Sequence, residues 1–246
     1  MSKLNTFFAF FCLLISFSFI FTACSQKDSR AVVFENEFLK GNASTFGTYG
    51  TIVDNEDKSI TLVKSTNNVG PITYFGNSES KNSIWVDRGL TCELILELKP
   101  AEIETDDCFD WSFAVNNKEN NQLSQVVVSF RKYDKGLRVG YSLKSSDASN
   151  LESTKEDNEK SKVIEKTGDY ILQVSFYSNI KNEILFNIIL TEKSNDEDVF
   201  TINGEKLSNA DDNQIKTEEI GGVRSAGLSY MTISSLKVKK VRLLEN

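Results

Sequence analysis

The chain has 246 residues, with 28 Lys and Arg against 35 Asp and Glu, a formal net charge of -7 and no histidine. The acidic balance excludes a polybasic surface for nucleic acid or anionic lipid. The missing imidazole excludes Ser-His-Asp and Cys-His nucleophiles within this chain, His-ligated zinc or iron, and the usual side-chain switch near neutral pH.

In chain order, the first element is an apolar run, Phe7–Phe21, behind a single charge, Lys3. It is shorter than the roughly 20 residues that a membrane-spanning helix needs, so it reads as a secretory signal over residues 1–23. Its exit, Phe21-Thr22-Ala23-Cys24, resembles the lipobox of bacterial lipoproteins, with Phe21 where Leu is usual. The resemblance implies that Cys24 is acylated and becomes the first mature residue, with residues 24–30 as a polar tether. Stable anchoring of this kind takes at least two acyl chains. Ser25, rather than Asp, follows the cysteine. That favours the outer membrane or cell surface of a bacterial envelope over retention at the inner membrane.

From residue 31 to residue 246 the pattern is that of one domain built from short strands. Strands are expected near 31–35, 44–53, 58–65, 70–76, 82–88, 90–99, 109–116, 123–133, 136–144, 169–178, 182–191, 198–203, 222–230 and 233–243. Alternation is clear in Phe109, Trp111, Phe113 and Val115, and again in Tyr170, Leu172, Val174 and Phe176. In the last strand it slips at Lys239-Lys240, as a bulge would make it. Tyr133-Asp134-Lys135-Gly136 reads as a hairpin, and Asn203-Gly204 as a turn. The charged segments 145–166 and 205–220 read as solvated insertions, the first with room for one helical turn. Many strands and almost no helical periodicity mean an all-β, two-sheet antiparallel sandwich or a barrel.

The mature chain keeps Cys92 and Cys108, placed symmetrically about Pro100. In an exported protein two cysteines can form a disulfide. Alternation, however, puts Cys92 with the inward leucines and Cys108 with Asp110 and Ser112. A bridge therefore needs a bulge or shifted register, and two separate thiols are the alternative.

Three patches together, Trp85–Gly89, Phe109–Asn117 and Gly221–Gly227 with the strand after it, resemble the concanavalin A-like lectin/glucanase jelly roll in its laminin-G-like form. The resemblance spans roughly residues 31–244. It implies a sandwich whose concave face carries a ligand groove and whose terminal strands pair near the centre. Within it, sugar-binding composition is found in Trp85, Asp87 and Arg88, and in Asp110, Trp111, Asn116 and Asn117, with Arg131 and Tyr133 weaker additions. Trp111 also fits the apolar face of its strand.

Retaining glycosidases of that fold carry Glu-x-Asp-x-(x)-Glu on one strand, with carboxyls about 5–5.5 Å apart. Here Glu93 and Glu97 share a face with Ile95 between them, and four strand residues span roughly 13 Å. An outward polar face explains both. The acids Glu102, Glu104, Asp106, Asp107 and Asp110 offer oxygens for Ca²⁺, but lack the Asp-x-Asp-x-Asp-Gly order, and a solvated loop accounts for them equally well. The sequence thus reads as a membrane-anchored, extracytoplasmic binding module for glycan or a surface protein, without catalysis and without nucleic acid. The alternatives are a structural envelope lipoprotein and a carboxylate-dependent carbohydrate-active enzyme.

Overall fold

The computed structural model describes residues 31–36, 51–64, 89–117, 123–146, 154–156, 160–208 and 220–245. Fourteen strands are found among them, in two antiparallel sheets. The expected strands at 70–76 and 82–88 and most of 44–53 lie outside the described residues.

The larger sheet runs in the order β12 (Glu197–Lys206), β11 (Ile184–Glu192), β10 (Gly168–Ser178), β4 (Leu90–Leu98), β14 (Ser235–Glu245), β3 (Ile60–Val63), β2 (Thr51–Asp54). In addition, β1 (Ala31–Asn36) pairs with β14. The smaller sheet runs β13 (Ile220–Met231), β5 (Cys108–Asn117), β6 (Leu123–Tyr133), β7 (Gly136–Ser146), β8 (Thr154–Glu156), with β9 (Lys162–Ile164) also on β7. The two-sheet sandwich expected from the sequence is therefore the architecture found. The last strand lies inside the larger sheet and pairs with the first.

Each strand forms because its apolar residues recur every second position, which puts them on one face of the pleat. Leu90, Cys92, Leu94, Leu96 and Leu98 of β4 and Tyr170, Leu172, Val174 and Phe176 of β10 face Phe109, Trp111, Phe113 and Val115 of β5 in one core. Phe109 and Phe130, direct cross-strand partners, stack at 4.5 Å. Tyr141 of β7 meets Phe186 of β11 edge-on at 5.7 Å, joining the two sheets. Each fully buried side chain of this kind contributes about 1.5–3 kcal/mol relative to exposure.

Two irregularities shape the outward face of the larger sheet. Between Val238 and Lys240 the pairing with β4 shifts by one residue. Val238 and Val241 both stay buried, so the bulge places Lys239 and Lys240 together on the outward face. The second bulge corrects an expectation. Asn203-Gly204 does not turn the chain but sits inside β12, where the pairing shifts between Phe186 and Ile188 of β11. Gly204 takes φ +64° there, a left-handed conformation that costs other residues roughly 1–2 kcal/mol. The strand continues because Gly204 N–H donates to Asn187 Oδ1 at 2.7 Å, giving the unpaired amide a partner. The hairpin at Tyr133–Gly136 forms as expected, with Asp134 at φ 47°.

One further expectation is corrected, and one open alternative is decided. The segment 145–166 carries no helical turn among its described residues. It supplies β8 and β9, both paired with β7. Cys92 and Cys108 are not bridged: both are free thiols. Cys92 faces the core from the larger sheet, while Cys108 lies on the smaller one, its amide donating to Thr232 Oγ1 at 2.7 Å. The alternation that argued against a bridge is what separates them. Burial pushes the Cys92 thiol up to about 12.

Candidate functional site

The expected site residues are not gathered in one place. Cys24, Trp85, Asp87 and Arg88 lie outside the described residues. Trp111 is 0% exposed within the core, so it offers no platform for a sugar, and its place among the ligand-binding candidates is corrected. The apolar alternation of β5 turns its ring inward. Asp110 and Arg131 do meet, on the outward face of the smaller sheet. Arg131 Nη1 donates to Asp110 Oδ1 at 2.7 Å and Nη2 to Oδ2 at 3.2 Å. Asn116 and Asn117 end the same strand, six and seven residues from Asp110, or roughly 20 Å of strand. Their partners are Gly222 and Ile220.

The acidic segment does not fit Ca²⁺. Among the described residues no group of three or more Asp, Glu, Cys or His side chains converges as a metal would require. Asp110 is held by Arg131, and Glu102 lies 3.5 Å from Lys99.

Glu93 and Glu97 share the outward face of β4 as expected, and neither stands as a free acid or nucleophile. Glu97 lies within 3.4–3.7 Å of Lys99, Lys237 and Lys239. Glu93 is only 3% exposed although it points away from the core. It accepts from Arg242 Nε at 2.6 Å and from Arg242 Nη2, and from Gln173 Nε2 at 2.7 Å. The register explains this convergence: Gln173, Glu93 and Arg242 are direct cross-strand partners on β10, β4 and β14. They form one row across three central strands.

The same face continues along β10. Ser175 Oγ lies 2.8 Å from Thr91 Oγ1. Beyond it, Tyr177 Oη donates to Asn187 Oδ1 at 3.4 Å, the oxygen that also accepts from Gly204 N–H. A Cβ on Gly204 would stand 3.6 Å from Tyr177 Oη, so the phenol lies directly beside the bulge. Bulges re-aim side chains and are over-represented next to active sites. Tyr177 and Gln173 are four residues apart, about 13 Å of strand.

Toward the other end, Lys239 Nζ donates to Asp169 Oδ1 and Lys237 Nζ to Asp57 Oδ2, each at 2.6 Å. Burial opposes the charge on Lys239, but Asp169 and Glu97 outweigh it and hold its pKa above the ordinary value. The Lys237 ammonium, with Ser59, holds the Asp57 carboxyl well below the usual range. These charges are committed to one another.

Gln173, Tyr177, Asn187 and Arg242 were not singled out by sequence reasoning. Their only signal is a polar residue at an outward position of an otherwise apolar strand, and that becomes a site only once strand order and register are known.

No protein-family model matches the chain, and no curated protein sequence matches it. Solved structures do resemble it. The carbohydrate recognition domain of Emp46p, in metal-free form, is similar with TM-score 0.51 at 9% identity, over 85% of this chain and 94% of that one. A variant of alginate lyase Aly36B in complex with alginate trisaccharide has TM-score 0.48 at 13% identity, over 88% and 94%. The PL-14 alginate lyase from Aplysia kurodai has TM-score 0.46 at 10% identity, over 81% and 87%. At these identities the likeness bears on the fold, a β-sandwich of the lectin-like jelly-roll kind.

The expectation of a binding module without catalysis is also corrected. That expectation leaned on the missing histidine and missing glycosidase carboxylates. Elimination chemistry requires neither feature, because a phenol or an amine can serve as its base. The residues that exclude hydrolysis by Glu93 and Glu97 therefore do not exclude catalysis.

Proposed function

We propose that the protein is a carbohydrate-active enzyme that cleaves an acidic polysaccharide by β-elimination on the outward face of its larger sheet. The observation that carries this reading is Tyr177, held by Asn187 beside the Gly204 bulge, on one face with the Gln173–Glu93–Arg242 row. In β-elimination a base removes the proton α to the uronate carboxylate. The glycosidic C–O bond breaks, the leaving oxygen takes a proton, and a double bond remains in the sugar ring. Tyr177 is the group placed to accept and return that proton, since a positioned phenol serves in general acid–base catalysis. Asn187, beside Tyr177, supplies its amide N–H toward the carboxylate of the reacting uronate, whose charge must be offset for the α proton to become acidic, while Gln173 and Arg242, about 13 Å along the strand, present N–H donors to the carboxylate of a sugar further along the same polymer. Glu93 orients both donors.

We further propose that the domain is exported and held at the bacterial envelope by acyl chains on Cys24; the segment Ile20–Gln26 supports this. Mass spectrometry of the mature N-terminus tests it, and an unmodified Cys24 rejects it. The catalytic reading is tested by incubation with a panel of polyuronates, following the ultraviolet absorbance of the unsaturated product. Tyr177→Phe is expected to abolish the signal while leaving the fold intact. Absence of unsaturated product from every polyuronate, or full activity in Tyr177→Phe, rejects it.

A further inference from the structure

The smaller sheet carries a separate cationic feature. Arg131 of β6 and Arg138 of β7 are direct cross-strand partners, in a row that runs Cys108, Arg131, Arg138, Val163. Like charges directly opposite each other on a sheet are destabilising, and in a chain of net charge -7 such a pairing calls for a reason. Asp110 offsets it in part: its side chain, 6% exposed, takes the Arg131 fork, while the Arg131 side chain stays 43% exposed. Arg138 instead lies with its guanidinium carbon 3.8 Å from the centre of the Tyr133 ring. Tyr133 itself is 47% exposed at the end of the hairpin.

The patch around this row therefore holds two arginines whose Cβ atoms stand about 5 Å apart, the Asp110 carboxylate and an exposed aromatic edge. Guanidinium groups match both carboxylates and tetrahedral oxyanions, and a ring under the second arginine fixes its orientation before a ligand arrives. Asp110 anchors Arg131 in the same way.

We propose that Arg131, Arg138 and Tyr133 form a second binding site, on the sheet opposite the Tyr177 face, for an oxyanion of an acidic polysaccharide. It would hold a sugar carboxylate or sulfate and keep a long chain on the protein between cuts. That a polysaccharide carries the oxyanion rests on the functional reading above; the affinity for the oxyanion does not.

Affinity electrophoresis tests it, with gels containing a polyuronate, a sulfated dextran or neutral dextran, run on the intact chain. The wild type is expected to be retarded by an acidic polymer and not by the neutral one. Retardation by the polyuronate assigns the carboxylate, and by the sulfated dextran the sulfate. Arg138→Gln is expected to weaken that retardation about tenfold, the worth of one charged hydrogen-bond donor. Arg138→Lys, which keeps charge but not the fork, is expected to fall between. Arg131→Gln strands Asp110 and is judged only if circular dichroism shows it folded. Tyr177→Phe is expected to lose cleavage and keep wild-type retardation, so failure of the catalytic reading and failure of this site are told apart. A folded Arg138→Gln protein with wild-type retardation, or a wild type that ignores both acidic polymers, overturns the proposal.

Discussion

The Arg242–Glu93 pair allows a sharp test of how the candidate site is built. Glu93 is 3% exposed and accepts from Arg242 and Gln173, while the Arg242 side chain is 27% exposed. Arg242→Leu removes the charge partner and leaves a carboxylate out of water with one amide donor. Breaking a buried pair from one side costs about 3–5 kcal/mol. Arg242 is partly solvated, which places this pair near the lower end, about 3 kcal/mol. Glu93→Leu leaves the guanidinium with its own access to solvent and is expected to cost less, about 1–2 kcal/mol. The double variant Glu93→Leu/Arg242→Leu places two apolar side chains beside Leu244 and Ile95, which are already buried. It is expected to fall within about 1 kcal/mol of wild type, because removing both charges also removes their desolvation cost. Urea unfolding of the four proteins gives the coupling directly. A single Arg242→Leu cost below about 1 kcal/mol, or a double variant as unstable as the sum of the singles, would refute the account of Glu93 as a buried, arginine-dependent carboxylate.

Three further outcomes follow from local geometry. Gly136→Ala is expected to destabilise the protein by about 1–3 kcal/mol, because the new Cβ would meet Ile164 O at 2.5 Å and Val163 Cγ1 at 2.6 Å; faster amide exchange in β9 is the local readout. Stability should decline in alkali. Cys92 and Tyr170, ordinarily near 9.0 and 10.0, are both raised to about 12. Above pH 9 the unfolded chain ionises first, so stability drops from there until about pH 12, and a flat thermal melting profile over that window would contradict the assignment. In acid, the lowered carboxyls of Asp57 and Glu192 contribute stability above the ordinary carboxylate range that is lost as pH falls through their depressed values; Asp57→Asn should flatten part of the acid limb.

The strands were legible because alternation is a local signal. β6 was expected at 123–133 and is found at Leu123–Tyr133, and the slip at Lys239-Lys240 pointed to a bulge that the pairing contains. Asn203-Gly204 misled because the same φ-positive glycine serves a turn or a bulge, and only the long pairing of β12 with β11 decides which. The candidate site was not legible. Gln173, Glu93 and Arg242 are separated by 80 and 149 residues in sequence, and nothing in any one strand says which outward residue its neighbour will present. Trp111 drew notice as an aromatic beside polar residues, yet the alternation that makes β5 a strand turns it inward. Asp110 and Arg131 were both singled out, but their ion pair needed the register of β5 on β6.

The most direct test of the central claim is digestion of a polyuronate in heavy-oxygen water, with the products weighed by mass spectrometry. Elimination at the Tyr177 face predicts unsaturated oligosaccharides that carry no solvent oxygen, formed by the wild type and not by Tyr177→Phe. Products that incorporate heavy oxygen at the cut would contradict elimination, and a polymer left intact by the folded wild type would contradict catalysis on this face.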